Sequence, residues 1–287
     1  MVRNQLLTIF LFLCFVGAQS QDVHFTQYYF SPLNTNPAYT GEFDGDFRIV
    51  GNHRSQWGDV VSDQFVTSGL SYDQNIDIYN HKVAVGINFV HDQSSIGFLN
   101  QNKLEIAGSY KKTIKGHNFT GGVQFGFLHK SLDFNKFTFP DQFDMDNGYF
   151  DNSQLSNNQN FTSNNIYRLD INAGISWSKK LTDKIEPLVG FALMHINTPK
   201  ESFLDNTGNS FPLRTLFDIK VKYNLTEKNT IVPTLIFMNQ NKAQEIVWGG
   251  MIRHKVAKNK YQLFDIFGGF SSRNGFSRNY DAFTLLV

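Results

Sequence analysis

The 287-residue sequence has very little cysteine, since its single cysteine, Cys14, lies in an apolar run near the N-terminus. A disulfide framework needs at least two cysteines, and zinc sites of the thiolate type need more. The fold must therefore be held by its own packing or by a membrane rather than by bridges.

Charge is also scarce and balanced. Charged residues make up 18% of the chain, with 26 Lys and Arg against 25 Asp and Glu and a formal net charge of +1. An ordinary soluble domain has about 25% charged residues. Phosphate binding would require clustered Lys or Arg, and no such block occurs, so nucleic acid is excluded as the default partner.

Long hydrophobic runs are missing beyond the N-terminus. The longest apolar stretch there, Leu188–Met194, is only seven residues, whereas a transmembrane helix needs about 20. Aromatic residues are abundant at 15%, including 29 Phe. The apolar content is therefore carried by rings that are spread along the chain.

The first twenty residues have the pattern of a secretory signal peptide. Arg3 precedes the apolar run Leu6–Val16, and the small residues of Gly17–Ser20 follow. We predict residues 1–20 as the signal peptide, with cleavage after Ser20. No small residue directly precedes Cys14, so a lipoprotein is not expected.

From residue 46 onward, apolar and polar residues alternate with a period of two. In the clearest segment, Ile166–Trp177, the odd-numbered positions are almost all apolar and the even-numbered ones polar or small. Successive side chains of a strand point to opposite faces, so such a segment predicts a strand with one apolar face. About twelve strands are predicted, near 46–54, 64–74, 83–89, 104–111, 119–127, 166–177, 184–195, 217–223, 229–239, 243–253, 261–271 and 280–287.

Two all-β architectures fit this alternation, a soluble sandwich and a membrane barrel. The polar faces here carry many Gly and Ser residues, as a barrel lumen does, and several strands end in aromatics such as Tyr110, Trp177 and Tyr223. We therefore predict an all-β, antiparallel outer-membrane β-barrel of about 12–14 strands over residues 46–287, located in the cell outer membrane. A soluble β-sandwich adhesin is the weaker alternative.

Two segments do not alternate. Residues 131–165 are rich in Asn, Asp and Phe and predict a long loop on one rim, which in such barrels usually faces outward. Residues 21–45 contain Pro32 and Pro37 and predict a plug-like segment, inside the lumen or across the periplasmic mouth.

No catalytic constellation is visible. The chain has eight scattered histidines, without a His-Glu-x-x-His motif or a phosphate loop. Ser71 and Asp73 are the only local pair suggestive of a hydrolase, and they lack a Gly-x-Ser-x-Gly elbow. We predict no enzyme activity, no metal and no cofactor, and we expect inward charges such as Lys103, Glu105 and Asp218 to pair across neighbouring strands.

Six sequence elements in order resemble one family. They are Gln21–Gly41, Asn52–Trp57, Gly69–Asp73, Phe139–Asp144 with Gly148, Gly190–Ala192 together with His195–Pro199, and Arg278–Phe283. Together they resemble the PorP/SprF family of outer-membrane proteins, which is associated with type IX secretion and gliding motility in Bacteroidota. The resemblance covers nearly the whole chain. Because those barrels have about fourteen strands and this sequence stops within a strand at Leu285–Val287, it implies either a truncated chain or a different closure.

The resemblance also implies a function. It suggests a non-enzymatic barrel that helps export large surface proteins such as adhesins, or holds them at the cell surface. Expected partners are such an exported protein, a peptidoglycan-associated or lipoprotein partner in the periplasm, and outer-membrane lipid. Candidate partner-binding residues are Phe25, Tyr28, Tyr29, Asn36 and Pro37 in the plug, Arg54, Gln56 and Trp57 at the first turn, and Asp141, Gln142, Phe143, Asp144, Tyr149 and Phe150 in the long loop.

The main alternative is a transporter of hydrophobic small molecules. Long-chain fatty-acid channels are barrels whose N-terminal plug can contain Asn-Pro-Ala, as Asn36–Ala38 does here. A transporter of this kind needs an apolar pocket in the lumen, for which Leu70, Leu188 and Met194 are the inward candidates. The candidate roles of the aromatic and charged residues remain open to a purely structural explanation, as packing and pairing inside the barrel.

Overall fold

The structure is a computed structural model. It describes residues 25–58, 64–79, 81–94, 99–133, 142–145, 148–150, 164–203, 210–241, 243–259, 262–275 and 280–286. The predicted signal peptide, residues 1–20, lies outside these ranges. Among the described residues, no helix has the length and apolar character needed to cross a membrane.

Twelve strands form one antiparallel sheet in which each strand pairs with its neighbours along the chain, confirming the predicted all-β fold. A separate two-stranded hairpin lies between the fifth and sixth strands of this sheet along the chain. The strands are β1 Phe47–Gln56, β2 Phe65–Ile78, β3 His81–Ser94, β4 Leu99–Ile114, β5 His117–Leu132, β6 Phe143–Asp144, β7 Tyr149–Phe150, β8 Asn165–Lys179, β9 Ile185–Met194, β10 Arg214–Asn224, β11 Asn229–Gln240, β12 Ala243–Asn259, β13 Gln262–Gly275 and β14 Tyr280–Leu286.

The alternation in the sequence corresponds to the two faces of the sheet. In β8, Ile175 is 61% exposed, whereas its neighbours Gly174 and Ser176 are buried. Most strands are longer than the predicted segments, reaching seventeen residues in β12. Near many strand ends polar residues occupy both faces. The alternation of apolar and polar residues stops there, whereas the backbone hydrogen bonds of the strand continue.

The connections divide the molecule into two rims. Turns such as Lys115–Gly116 and the segment 180–184 form the short-turn rim, and the connections between β5 and β8 and between β9 and β10 lie at the long-loop rim. Lys115 and Gly116 both have positive φ, 50° and 78°, which suits a tight two-residue hairpin whose twist matches the strands. In the described residues β1 pairs with β2 and β14 with β13, so the sheet is not closed by hydrogen bonds.

Residues 25–41, here called the plug, lie inside the curve of the sheet. They form three 3₁₀ turns, Tyr28–Phe30, Pro32–Asn34 and Pro37–Tyr39. Proline starts two of these turns because its fixed φ suits the first position and its missing N–H costs no hydrogen bond there. The Asn36 side chain caps the third turn by accepting a hydrogen bond from the Ala38 N–H, 2.9 Å away.

The outward face of β5 offers a test of the membrane assignment. Phe125 lies in the middle of this face and is exposed, while Ile114 lies on the outward face of β4 next to the short-turn rim. We expect Phe125→Arg to lower the free energy of unfolding in lipid vesicles by about 2–4 kcal/mol and Ile114→Arg by about 0–1 kcal/mol, because the cost of a charge depends on its depth. Denaturant unfolding would measure both, and equal effects would contradict a bilayer-spanning sheet.

Candidate functional site

The plug is bonded to strands on nearly every side of the curved sheet. Asn52 of β1 donates to the Phe30 carbonyl at 2.8 Å, and Gln124 of β5 donates to the Leu33 carbonyl at 3.3 Å. On the far side, the Tyr28 hydroxyl lies 3.0 Å from the Thr234 hydroxyl of β11. Because these bonds converge from opposite walls, they fix the plug at a single height in the interior.

The tightest contacts surround Asn36 and Pro37. Asn36 is fully buried and donates to the carbonyls of Ile175 in β8, at 3.2 Å, and Phe191 in β9, at 3.3 Å. The wall opposite these residues is made of glycine. A Cβ atom at Gly122 would collide with the Pro37 backbone, and one at Gly174 would collide with the Asn36 side chain. The plug therefore approaches the wall at a distance that only glycine permits.

Tyr39 links the plug to a buried carboxylate. Its hydroxyl donates to Asp218 of β10 at 2.5 Å, and both residues are almost fully buried. The Lys220 ammonium lies 3.6 Å from the same carboxylate and 4.1 Å from the centre of the Tyr39 ring. Burial raises the pKa of the Tyr39 phenol well above its usual value, and the negative charge of Asp218 raises it further.

A second buried carboxylate, Asp73, holds the end of the plug. It accepts two hydrogen bonds from the Arg48 guanidinium, at 2.9 and 2.7 Å, and one from the Gly41 N–H at 2.8 Å. Arg48 also donates to the Tyr39 carbonyl at 3.0 Å. The Ser71–Asp73 pair that suggested a hydrolase therefore has a structural explanation, because both Asp73 oxygens are engaged by the plug and β1.

Glu105 is another carboxylate of the interior and is fully buried. Lys103 lies 3.2 Å from it, and Asn88 and Asn172 donate to its two oxygens at 2.7 and 3.1 Å. Lys103 and Glu105 belong to the same strand, as do Asp218 and Lys220. The expectation that inward charges pair across neighbouring strands is thus wrong for these pairs, since residues two apart on a strand share a face and lie within reach of a lysine side chain.

One side of the interior is apolar. Tyr28 packs there with a cluster of wall residues, namely Ala192, Met194, Leu216, Ile236, Met238 and Val247. The cavity between this cluster and the plug is about 30 Å³, room for about two water molecules. Met194 and Leu188 face inward as predicted, but Leu70 is 58% exposed on the outer face, because the odd-numbered residues of β2 are the inward ones.

The predicted plug residues are brought together inside the sheet. Phe25 lies against Gly69, and Tyr29 stacks on Tyr28 with ring centroids 4.2 Å apart. Phe25, Tyr28, Asn36 and Pro37 are buried, so the contacts that the structure shows for them are intramolecular. Their predicted role in partner binding stays a prediction.

The other predicted residues lie towards the long-loop rim and are not brought together with the plug. Arg54 is half-buried and donates to the Thr67 hydroxyl at 3.3 Å, and Gln56 and Trp57 are exposed at the end of β1. In the long loop Gln142 is buried and Asp144 half-buried, and Asp141 lies outside the described residues. Phe143, Tyr149 and Phe150 are exposed on the β6–β7 hairpin, with Phe143 and Phe150 in edge contact at 5.0 Å.

Sequence reasoning missed the residues that hold the plug. Nothing in the sequence assigned Arg48, Asp73, Tyr39 or the inward glycines to plug contacts, and Asp73 was considered only as part of a hydrolase-like pair and of a family motif. Their role depends on contacts between residues as far apart as 39 and 218, for which a single sequence carries no local signal. In the part of the chain that is described, no three His, Cys, Asp or Glu side chains are placed to hold a metal ion.

Comparison with known proteins identifies one family. The family model described as type IX secretion system membrane protein PorP/SprF matches residues 17–287. No curated protein sequence matches the chain. Among solved structures, similar folds include the β-domain of the Bordetella autotransporter BrkA, with 11% identity, 84% of this chain and 94% of that chain covered and a TM-score of 0.42. The ferric yersiniabactin uptake receptor FyuA from Yersinia pestis has 11% identity, 82% and 38% coverage and a TM-score of 0.37.

The glycine contacts of the plug can be tested with two neighbouring residues. We expect Gly122→Ala to destabilise the protein by about 1–3 kcal/mol, because its methyl group would overlap the Pro37 backbone. Gly121→Ala is the matched control, since nothing lies within 4 Å of its Cβ position. It should be neutral or slightly stabilising. Denaturant unfolding and hydrogen exchange of residues 25–41 would measure the difference, and equal behaviour would contradict the packing of the plug.

The buried tyrosines predict a loss of stability in alkali. Burial raises the pKa of Tyr28, and that of Tyr39 even more, whereas tyrosines of the unfolded chain ionise near pH 10. As the pH rises, the tyrosines of the unfolded state therefore lose their protons first. The contribution of the buried tyrosines to the free energy of unfolding is fully present below about pH 10 and decreases above it. Tyr39→Phe should flatten this fall in unfolding free energy, measured from pH 8 to 11.5. The exposed Tyr79 provides the control, Tyr79→Phe, and an unaltered slope in Tyr39→Phe would refute the assignment.

Proposed function

Because the chain belongs to the PorP/SprF family of type IX secretion system membrane proteins, we propose that it is a non-enzymatic outer-membrane barrel. On this proposal it helps export large surface proteins such as adhesins, or anchors them at the cell surface, and docks to periplasmic partners of the same machinery. It acts as a scaffold that fixes the positions of other proteins.

The filled interior is the observation that carries this proposal. The plug forms hydrogen bonds with strands on opposite sides of the curved sheet. The buried carboxylates Asp73, Glu105 and Asp218 are each held by at least two hydrogen-bond donors or cations. A wide conduit would need a lumen lined by solvent. The interior that the structure describes is instead largely occupied by the plug, apart from a polar cavity of about 270 Å³ beside Thr40 and Gly41, and this supports a rigid body whose working surfaces are at the rims.

At the long-loop rim the β6–β7 hairpin offers such a surface. Phe143, Tyr149 and Phe150 are each more than 40% exposed, and Met145 beside them is 89% exposed. Aromatic side chains dominate the energetics of protein interfaces because they bury large areas with little loss of conformational freedom. The extracellular side is where loops of this length usually lie, which suits contact with an exported protein.

A transporter of hydrophobic molecules remains the second hypothesis, and the size of the cavity weighs against it. The apolar cluster beside Tyr28 would suit an acyl chain, but the cavity there is about 30 Å³. Pockets for drug-sized ligands are about 300–1,000 Å³. A transporter would therefore require the plug to leave, breaking the hydrogen bonds of Asn36, Tyr39 and Gly41.

The hairpin surface gives a direct test of the docking function. We expect the triple change Phe143→Ser, Tyr149→Ser and Phe150→Ser to reduce surface exposure of the exported client at least tenfold, because three anchoring side chains are lost together. Labelling of surface proteins on intact cells and co-purification with the tagged barrel in mild detergent would measure this effect.

The matched control changes three exposed apolar residues on the short-turn rim, Tyr79→Ser, Leu181→Ser and Leu225→Ser. It should leave client exposure intact. Normal export in the hairpin variant, with the barrel present in normal amount, would contradict the proposed contact. Purification of the barrel with stoichiometric fatty acid and no protein partner would favour the transporter.

A further inference from the structure

A group of cationic and aromatic side chains lies on the outward face next to the short-turn rim. It consists of Lys112 on β4, His117 and Phe119 on β5, and Trp177 and Lys179 on β8, and we call it the cationic–aromatic cluster. The strand register places Lys112 opposite Phe119 and Phe119 opposite Trp177, and it places His117 opposite Lys179. The five residues are therefore contiguous on three adjacent strands.

The cluster faces away from the interior. Lys112 and Phe119 are exposed, His117, Trp177 and Lys179 are half-buried, and the intervening residues Thr120, Ser176 and Ser178 are buried on the inner face. The same outward rows continue into the apolar residues of the mid-strands, such as Val123 and Ile175. The cluster thus lies where the apolar band ends, at the depth at which Trp, Tyr and Lys meet lipid headgroups.

Each ring nitrogen of His117 faces a hydrogen-bond donor. Trp177 Nε1 lies 3.0 Å from His117 Nδ1, and Lys179 Nζ lies 2.9 Å from His117 Nε2. Indole N–H and ammonium groups can only donate, and a neutral imidazole accepts at one nitrogen and donates from the other. If Nδ1 accepts from Trp177, Nε2 carries its proton towards the Lys179 ammonium. Two donors then face each other without an acceptor.

The other protonation states do not remove this mismatch. If Nε2 accepts from Lys179, Nδ1–H faces the Trp177 N–H, and a charged imidazolium donates from both nitrogens. The acidic residues that follow β8 in the chain are paired with other lysines, Asp183 with Lys180 and Glu186 with Lys222. In the described ranges no carboxylate forms an ion pair with Lys112 or Lys179. An oxygen anion near Nε2 would accept from both donors.

We propose that the cationic–aromatic cluster binds the anionic phosphate headgroup of a membrane phospholipid. The phosphate oxygens accept from Lys179 and His117, Lys112 supplies a second positive charge two strands away, about 10 Å by strand spacing, and the acyl chains lie along the outward apolar face beyond Trp177. A lipid is chosen over a soluble anion because the phosphate site opens directly onto that apolar face. Anionic headgroups are also attracted by each lysine at a membrane surface.

The test measures lipid binding to the purified full-length barrel. Native mass spectrometry in mild detergent would compare phosphatidylglycerol with phosphatidylcholine of the same acyl chains, with inorganic phosphate as competitor. We expect preferential binding of phosphatidylglycerol, weakened about 25-fold in the double variant Lys112→Gln/Lys179→Gln, because each lysine contributes about fivefold. His117→Phe should weaken binding a few-fold while keeping the ring.

The matched control is Lys184→Gln/Lys228→Gln, which removes the same charge from exposed turns of the same rim. It should bind phosphatidylglycerol as the unaltered protein does, and circular dichroism should show that all variants are folded. Equal weakening in the control would indicate diffuse charge attraction and would overturn the proposal. So would displacement of the lipid by an equal concentration of inorganic phosphate. Because only the isolated barrel is used, the result is independent of the secretion assay.

Discussion

The structure depends on satisfying the polar groups that the sheet turns inward. Asp73, Glu105 and Asp218 are buried carboxylates, and leaving such a group without donors costs several kcal/mol. Of these three, Glu105 is held by wall residues, through Lys103, Asn88 and Asn172. Asp73 and Asp218 each take a hydrogen bond from the plug, from the Gly41 N–H and the Tyr39 hydroxyl. Plug and wall are therefore one hydrogen-bonded unit.

The same constraint explains where glycine occurs. Backbone groups of the plug must reach wall partners at hydrogen-bond distance, and Gly122 and Gly174 leave the space for Pro37 and Asn36 to do so. A larger residue at either position would displace the plug, and Asp73 and Asp218 would then lose the hydrogen bonds that they accept from it. The outward glycine Gly121 has no such contact, which shows that position on the inner face, not strand membership, makes Gly122 necessary.

A filled interior shifts the possible functions to the surfaces. The long-loop rim exposes the aromatic hairpin, and the short-turn rim carries the lysine-rich turns and the cationic–aromatic cluster. The aromatic hairpin is suited to protein contact, and the lysines of the short-turn rim are suited to anions.

The period-two pattern was sufficient to predict all twelve strands of the sheet, because alternation is a local property that any strand between lipid and a polar interior must have. It assigned the faces of Ile175 and Glu105 correctly, and the family motifs led to the family that the comparison identified. Alternation stops where both faces become polar, so most of the predicted strands were shorter than the strands of the structure. Leu70 was wrongly assigned to the interior, although the alternation of its own strand places it outside.

The sequence by itself thus determined the strands, their apolar faces, the absence of regular alternation in residues 25–45 and the family. Only the tertiary structure decided what occupies the interior, which pairs of charges form, and how the His117 donors are left facing each other. The physical reason is that a strand's faces are encoded by residues two apart, whereas the contacts of Tyr39 with Asp218 or of Pro37 with Gly122 join residues far apart in the chain. Such contacts exist only after the sheet has curved and brought its walls together.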